Sequence, residues 1–161
     1  MNIEYLTQLS NNPTVSDAAT GVVDTLSPIT MDEILTLESN YNNGNTFPVV
    51  LRELLFLAGE SCYVLDYGVY GNQTHIQNAV RSWLIKSNRQ ISRPFFAIDV
   101  YNSYSQFLFV YLDEGIDDPL VRQAILYSKA TDSSWSTSID YTLSEFINRR
   151  MTYLLNGYNP F

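Results

Sequence analysis

The stretch TFPVVLRELLFLAGE, Thr46 to Glu60, constrains the fold more than any other part of the chain. Its apolar residues Val50, Leu51, Leu54, Leu55, Leu57 and Ala58 are interrupted by charge only at Arg52 and Glu53. A helix this apolar must be covered around most of its circumference. Pro48 suits the first helical turn, where a missing N–H costs nothing and its φ is already helical. Gly59 is expected just past the end, in the left-handed conformation that glycine adopts without strain. Phe47 is placed to pack back on the first turn near Leu51. The stretch predicts a buried core helix in a single domain.

The chain has 161 residues, enough for one domain with a sizeable core. With 45% hydrophobic and 16% charged residues it falls well outside disordered compositions. Twelve tyrosines favour a fold that contains sheet. Seventeen acidic residues stand against nine basic ones, a formal net charge of −8. Such a chain repels phosphate backbones, so nucleic acid is not an expected partner. A basic protein is, because the acidic excess would speed its association. Arg81, Lys86, Arg89 and Arg93 read as a solvated helix face. One cysteine, Cys62, cannot build an intrachain disulfide framework. The start MNIEYLTQLS lacks the basic and apolar runs of a signal peptide, and no apolar run is long enough to span a membrane. A cytoplasmic location is expected.

Along the chain, residues 1–28 read as an arm appended to a domain covering 29–161. Ile3, Leu6 and Leu9 line a short helix ending at Asn11-Asn12-Pro13, and 15–26 is ambiguous between helix and strand. Thr30-Met31-Asp32-Glu33 is a capping box opening a helix through Tyr41, in which Ile34, Leu35 and Leu37 give the apolar stripe. After the core helix, Cys62 to Tyr70 has the β-branched and aromatic content of one or two short strands. Ile76, Ala79, Val80, Trp83 and Leu84 predict a helix over 74–88 that stops before Arg93-Pro94. Phe95 to Tyr101 and Gln106 to Leu112 form a hairpin across a short polar connection. Val121 to Tyr127 is a third strand, followed by a polar run over 131–138. Thr142-Leu143-Ser144-Glu145, a second capping box, opens a closing helix with Leu143, Phe146, Ile147, Met151 and Leu154 on its stripe. The order predicts an α+β domain, mainly antiparallel sheet flanked by helices.

Four stretches, in this order, resemble the SMI1/KNR4 (SUKH) superfamily. They are Ile34 to Glu38, Phe47-Pro48 through Leu54, Leu57 and Gly59, the hairpin Phe95 to Leu112 with the turn Asp118-Pro119-Leu120-Val121, and Ser144 to Ile147. The resemblance covers roughly residues 29 to 155. It implies an SMI1/KNR4-like fold and a binding module without enzymatic activity or cofactor. In bacteria that class consists mostly of immunity proteins, each of which neutralises a cognate toxin, often a nuclease. A scaffold or regulatory domain of the same fold is the alternative, and a small hydrolase is a third reading.

The residues themselves offer little chemistry. Cys62 and His75 could pair for nucleophilic catalysis, but a buried structural thiol and a polar helix start explain them as well. Zinc would have to lean on carboxylates, and no phosphate loop appears. The densest acidic cluster is Asp113, Glu114, Asp117 and Asp118. A calcium loop would need a distal bidentate Glu close behind, and none comes before Glu145. A catalytic carboxylate pair would need a pocket and a partner acid. Turn chemistry explains Asp118-Pro119, and partner binding is the functional option laid over it. Tyr101 and Tyr104, on the neighbouring connection, are either aromatic anchors for that partner or ordinary sheet residues.

Overall fold

The computed structural model describes residues 1–16, 21–67, 70–101, 105–127 and 134–159. In chain order the elements are α1 (Thr7–Asn11), β1 (Thr14–Ser16), β2 (Val23–Thr25), α2 (Met31–Tyr41), α3 (Val49–Ala58) and α4 (Gln73–Lys86). Then follow β3 (Phe95–Tyr101), β4 (Gln106–Tyr111), β5 (Leu120–Ile125), β6 (Ser136–Thr142) and α5 (Leu143–Leu155). The four long strands form an antiparallel meander in the order β3-β4-β5-β6, while β1 and β2 make a separate hairpin. This is an α+β fold.

Both capping boxes form as the sequence predicts. Thr30 and Glu33 exchange side-chain and backbone bonds at the start of α2, and Thr142 and Glu145 do the same for α5. Each arrangement satisfies backbone N–H groups that the first turn of a helix leaves without partners. α3 is the expected core helix, with Val50, Leu51, Leu54, Leu55 and Ala58 at most 1% exposed. Its ends differ from expectation. Pro48 caps the helix from outside, at φ −47° and ψ 142°. Gly59 is right-handed at φ −67°. A Cβ there would lie 2.6 Å from the Leu55 carbonyl oxygen and 2.7 Å from Ile29 Cγ1, so the glycine answers a close approach rather than a left-handed turn. Phe47 packs edge-on to Phe96 of β3, with ring centroids 5.1 Å apart.

The N-terminal residues enter the core. Leu6 and Leu9 are fully buried, and the Glu53 carboxylate of α3 accepts from the backbone N–H groups of Glu4, Tyr5 and Leu6 at 2.6–3.0 Å. Three donors held by one carboxylate offset its burial. A second buried acid, Glu38, accepts from the Phe47 N–H at 2.8 Å and pairs with Arg52 at 3.2 Å, joining α2 to the entry of α3.

Cys62 to Tyr67 is not a strand. Ser61 bridges Ser27, and the rest turns, with the Leu65 N–H donating to the Cys62 carbonyl, and runs to the outer edge of β3 at Asp66. Its apolar residues Cys62, Val64, Leu65 and Tyr67 are buried by packing. β6 occupies part of what reads as a polar run; its sequence STSIDYT has no fully buried position. Of the four basic residues expected on a solvated face, Lys86 and Arg93 are exposed, while Arg81 and Arg89 are not. Arg81 is half-buried between the Tyr41 and Phe95 rings, 4.6 and 4.4 Å from their centroids, and Arg89 lies over Trp135.

The outer edge of β3 is closed by side chains of α4 and by the backbone of Asp66 instead of a fifth strand. The Gln77 amide of α4 accepts from the Ala97 N–H at 2.9 Å and donates to the Ala97 carbonyl at 2.8 Å. Arg81 donates to the Phe95 carbonyl, and the Val100 N–H donates to the Asp66 carbonyl, each at 3.1 Å. Replacing Gln77 by Leu strands both Ala97 groups in the interior. It should lower stability by about 2–4 kcal/mol, read as a shifted denaturation midpoint, whereas Gln90→Leu at an exposed site should move it by less than about 0.5 kcal/mol.

Candidate functional site

Two clusters of charged side chains stand out. The first is the acidic turn between β4 and β5. Arg93, just before β3, grips Asp113 with its Nε and Nη2, at 3.0 and 2.6 Å to one carboxylate oxygen. That bond holds the Asp113 carboxyl below the usual carboxylate range. Glu114 lies 3.7 Å from Arg93 and 3.4 Å from Arg122 of β5. The same two guanidinium groups lie over Tyr111, 3.9 and 4.7 Å from its ring centroid. Asp118 accepts from the Ser144 N–H at 2.9 Å and hydroxyl at 2.6 Å, fastening the turn to the first turn of α5. Asp117 is exposed; its backbone carbonyl accepts from the Val50 N–H. Of the four acids expected to face a partner, three are engaged by the chain's own groups and Asp117 presents its carboxylate outward. The Tyr5 phenol is raised from its ordinary value by partial desolvation and by Asp117 and Asp118, so the N-terminal segment lies beside the turn.

The second cluster is buried. Asp99 of β3 is fully enclosed, next to a register shift in the β3–β4 pairing between Ala97 and Asp99. Its carboxylate accepts from the Asp66 N–H at 2.7 Å, the Val100 N–H at 3.1 Å, Arg150 of α5 at 2.9 Å and the Tyr101 hydroxyl. Arg150 also donates to the Val64 carbonyl at 2.7 Å and to the Tyr101 oxygen, and stacks over Phe146 at 4.5 Å. Burial pushes the Asp99 carboxyl up to about 7, against the opposing pull of Arg150, Tyr101 and the two backbone donors. Burial and the neighbouring Asp99 raise the Tyr101 phenol as well. Of the two readings of Tyr101, aromatic anchor or sheet residue, its bonds to Asp99 and Arg150 agree with the second and make it part of this internal cluster. Tyr104 lies outside the described residues. With protein donors on both of its oxygens, Asp99 ties α5 and residues 64–66 to the sheet.

Cys62 and His75 occupy different environments. Cys62 is buried and His75 is exposed in the first turn of α4. Burial raises the Cys62 thiol to about 12. Among the described residues no group of three His, Cys, Asp or Glu side chains gathers to hold a metal, and no helix is long and apolar enough to cross a membrane. A shallow groove of about 410 Å³ is lined by Trp83, Lys86, Ser87, Ser105, Leu126 and Tyr127.

Sequence reasoning missed the Asp99–Arg150 tie, although a lone acid inside the apolar run FFAIDVY was a visible signal. No family model, curated protein or solved structure matches the chain.

Two expectations follow. Burial pushes the Asp99 carboxyl from its ordinary 3.8, which the unfolded chain keeps, up to about 7 in the folded protein. Between those values the folded state binds more protons, so this group makes stability fall as pH rises through that window. Denaturation midpoints at pH 5 and pH 8 should therefore differ less in Asp99→Asn than in the parent protein. Iodoacetamide should leave Cys62 unmodified in the native protein and alkylate it on denaturation, as mass spectrometry would show.

Proposed function

We propose that this chain is a non-enzymatic binding protein, an immunity protein of SMI1/KNR4 type that binds and neutralises a cognate basic toxin such as a nuclease. The observation that carries the reading is how the charges are divided. Six arginines are engaged by the chain's own groups: Arg52, Arg93, Arg122 and Arg150 pair with carboxylates, and Arg81 and Arg89 lie over aromatic rings. Arg93 is exposed even so, as are Lys86 and Arg149. Glu4, Asp24, Asp32, Glu60, Asp117 and Asp140 are exposed. The net charge of −8 is therefore expressed mainly as carboxylate at the surface. A protein that must hold nucleic-acid phosphates carries a basic site, and an acidic body competes for that site by the same electrostatics. The α+β architecture suits the fold that the sequence resemblance implies.

The reading expects a toxin gene beside this one, and the test is co-expression with the toxin domain it encodes. Growth should be rescued and the two proteins should co-purify, with association slowing as salt is raised. Toxicity undiminished by co-expression would refute the reading. Asp117→Lys, at a carboxylate with no structural duty, should slow association without moving the melting temperature. Asp113→Lys should lower that temperature too, because it opposes Arg93.

A further inference from the structure

The sheet has two edges, and the chain treats them oppositely. At β3 the outward backbone groups of Phe95, Ala97 and Val100 are taken up by Arg81, Gln77 and Asp66. β6 is the other edge strand. Its pairing with β5 sets Ala124 opposite Ser136, Gln123 opposite Thr137 and Arg122 opposite Ser138. The Ile125 N–H donates to the Trp135 carbonyl at 2.7 Å, which fixes the phase of the ladder. Bonded and non-bonded pairs alternate in an antiparallel ladder, so Thr137 turns its backbone groups to β5 while Ser136 and Ser138 turn theirs outward. No described residue bonds those outward groups. Beyond Ile139 the edge is closed by Asp140, whose φ of +60° bends the strand away. What is left is a short stretch of unpaired edge, with Thr137 exposed beside it.

We propose that this edge of β6, at Ser136 and Ser138, is where a partner polypeptide docks by adding an extended, cationic strand to the sheet. Main-chain bonds supply the attachment in such strand addition, and alternate side chains supply the choice of partner. The partner's charge follows from the surroundings. Asp140 is exposed at the end of the edge, and Glu145, whose carboxylate caps α5, is exposed just beyond it. The exposed cation of that helix, Arg149, stacks over the Tyr141 and Tyr153 rings. A second copy of this chain would bring a charge of −8 to face −8 across a two-fold axis, so self-pairing is disfavoured. The proposal rests on the partner-binding reading above and assigns it a surface, but its test needs no toxin.

In the free protein, the amides of Ser136 and Ser138 should exchange with solvent quickly, and those of Ala97 and Val100 slowly. A strand-length peptide alternating Lys with Val should shift the Ser136 and Ser138 amide resonances and slow their exchange; its Glu–Val counterpart should do neither. Ser136→Pro, which removes an outward N–H without breaking a bond to β5, should weaken the peptide by about tenfold at an unchanged melting temperature. Ser138→Pro serves as the second variant if the first is destabilised. Resonance shifts confined to other residues, or none with the Lys–Val peptide, would overturn the proposal. So would a dimer in which the two amides are already protected and which Ser136→Pro dissociates, because the edge would then belong to a second copy. Rescue from the toxin together with silence at the edge would sink this inference alone.

Discussion

Burying the charge of Asp99 is the constraint on which the rest of the arrangement leans. Taking a carboxylate and a guanidinium out of water costs on the order of several kcal/mol per ion unless their remaining hydrogen-bonding positions are filled. Here Asp66, Val100, Tyr101 and Arg150 fill those of Asp99, and Val64 fills one of Arg150's. The donors come from an irregular segment, from the strand itself and from the last helix. None of the three can move without uncovering the charge. The cluster therefore fixes the position of α5 on the sheet, and through Thr142 at its start it fixes the direction in which β6 leaves the helix.

The same economy recurs with other buried polar residues. Glu38, Glu53 and Gln77 each answer backbone groups of a distant segment. Polar side chains are thus used inside the molecule as joints between elements. Most of the arginines are used likewise, against rings and acids, which leaves carboxylates in excess on the exterior. The internal joints and the external field arise from one division of charge.

Much of the architecture is legible in the sequence, because its signals are local. Capping boxes place the starts of α2 and α5 to the residue, and two β-rich apolar runs either side of a polar connection place the β3–β4 hairpin. Long-range causes are not legible. β6 escapes notice because an edge strand with no fully buried residue has the composition of a loop. Cys62 to Tyr67 imitates a strand because it is apolar for another reason, packing as an irregular segment into the core. Gly59 looks like a left-handed terminus because a sequence cannot distinguish positive φ from lack of room beside Ile29. Of the candidate site, the acidic turn is visible as a cluster. Its engagement is not, since Arg93 and Arg122 are distant in the chain from the acids they hold. The Asp99 tie joins residues 51 positions apart, and only the odd placement of an acid in FFAIDVY hints at it.

The contact between α1 and α5 joins the two ends of the chain. Leu6 and Leu9 are fully buried, and the Glu53 carboxylate, which lies between the two helices in sequence, gathers the amides of Glu4, Tyr5 and Leu6. Contacts so far apart along the chain bear the entropy of a long loop before they repay it. They therefore form together and late, as a ring closes when its final link is set.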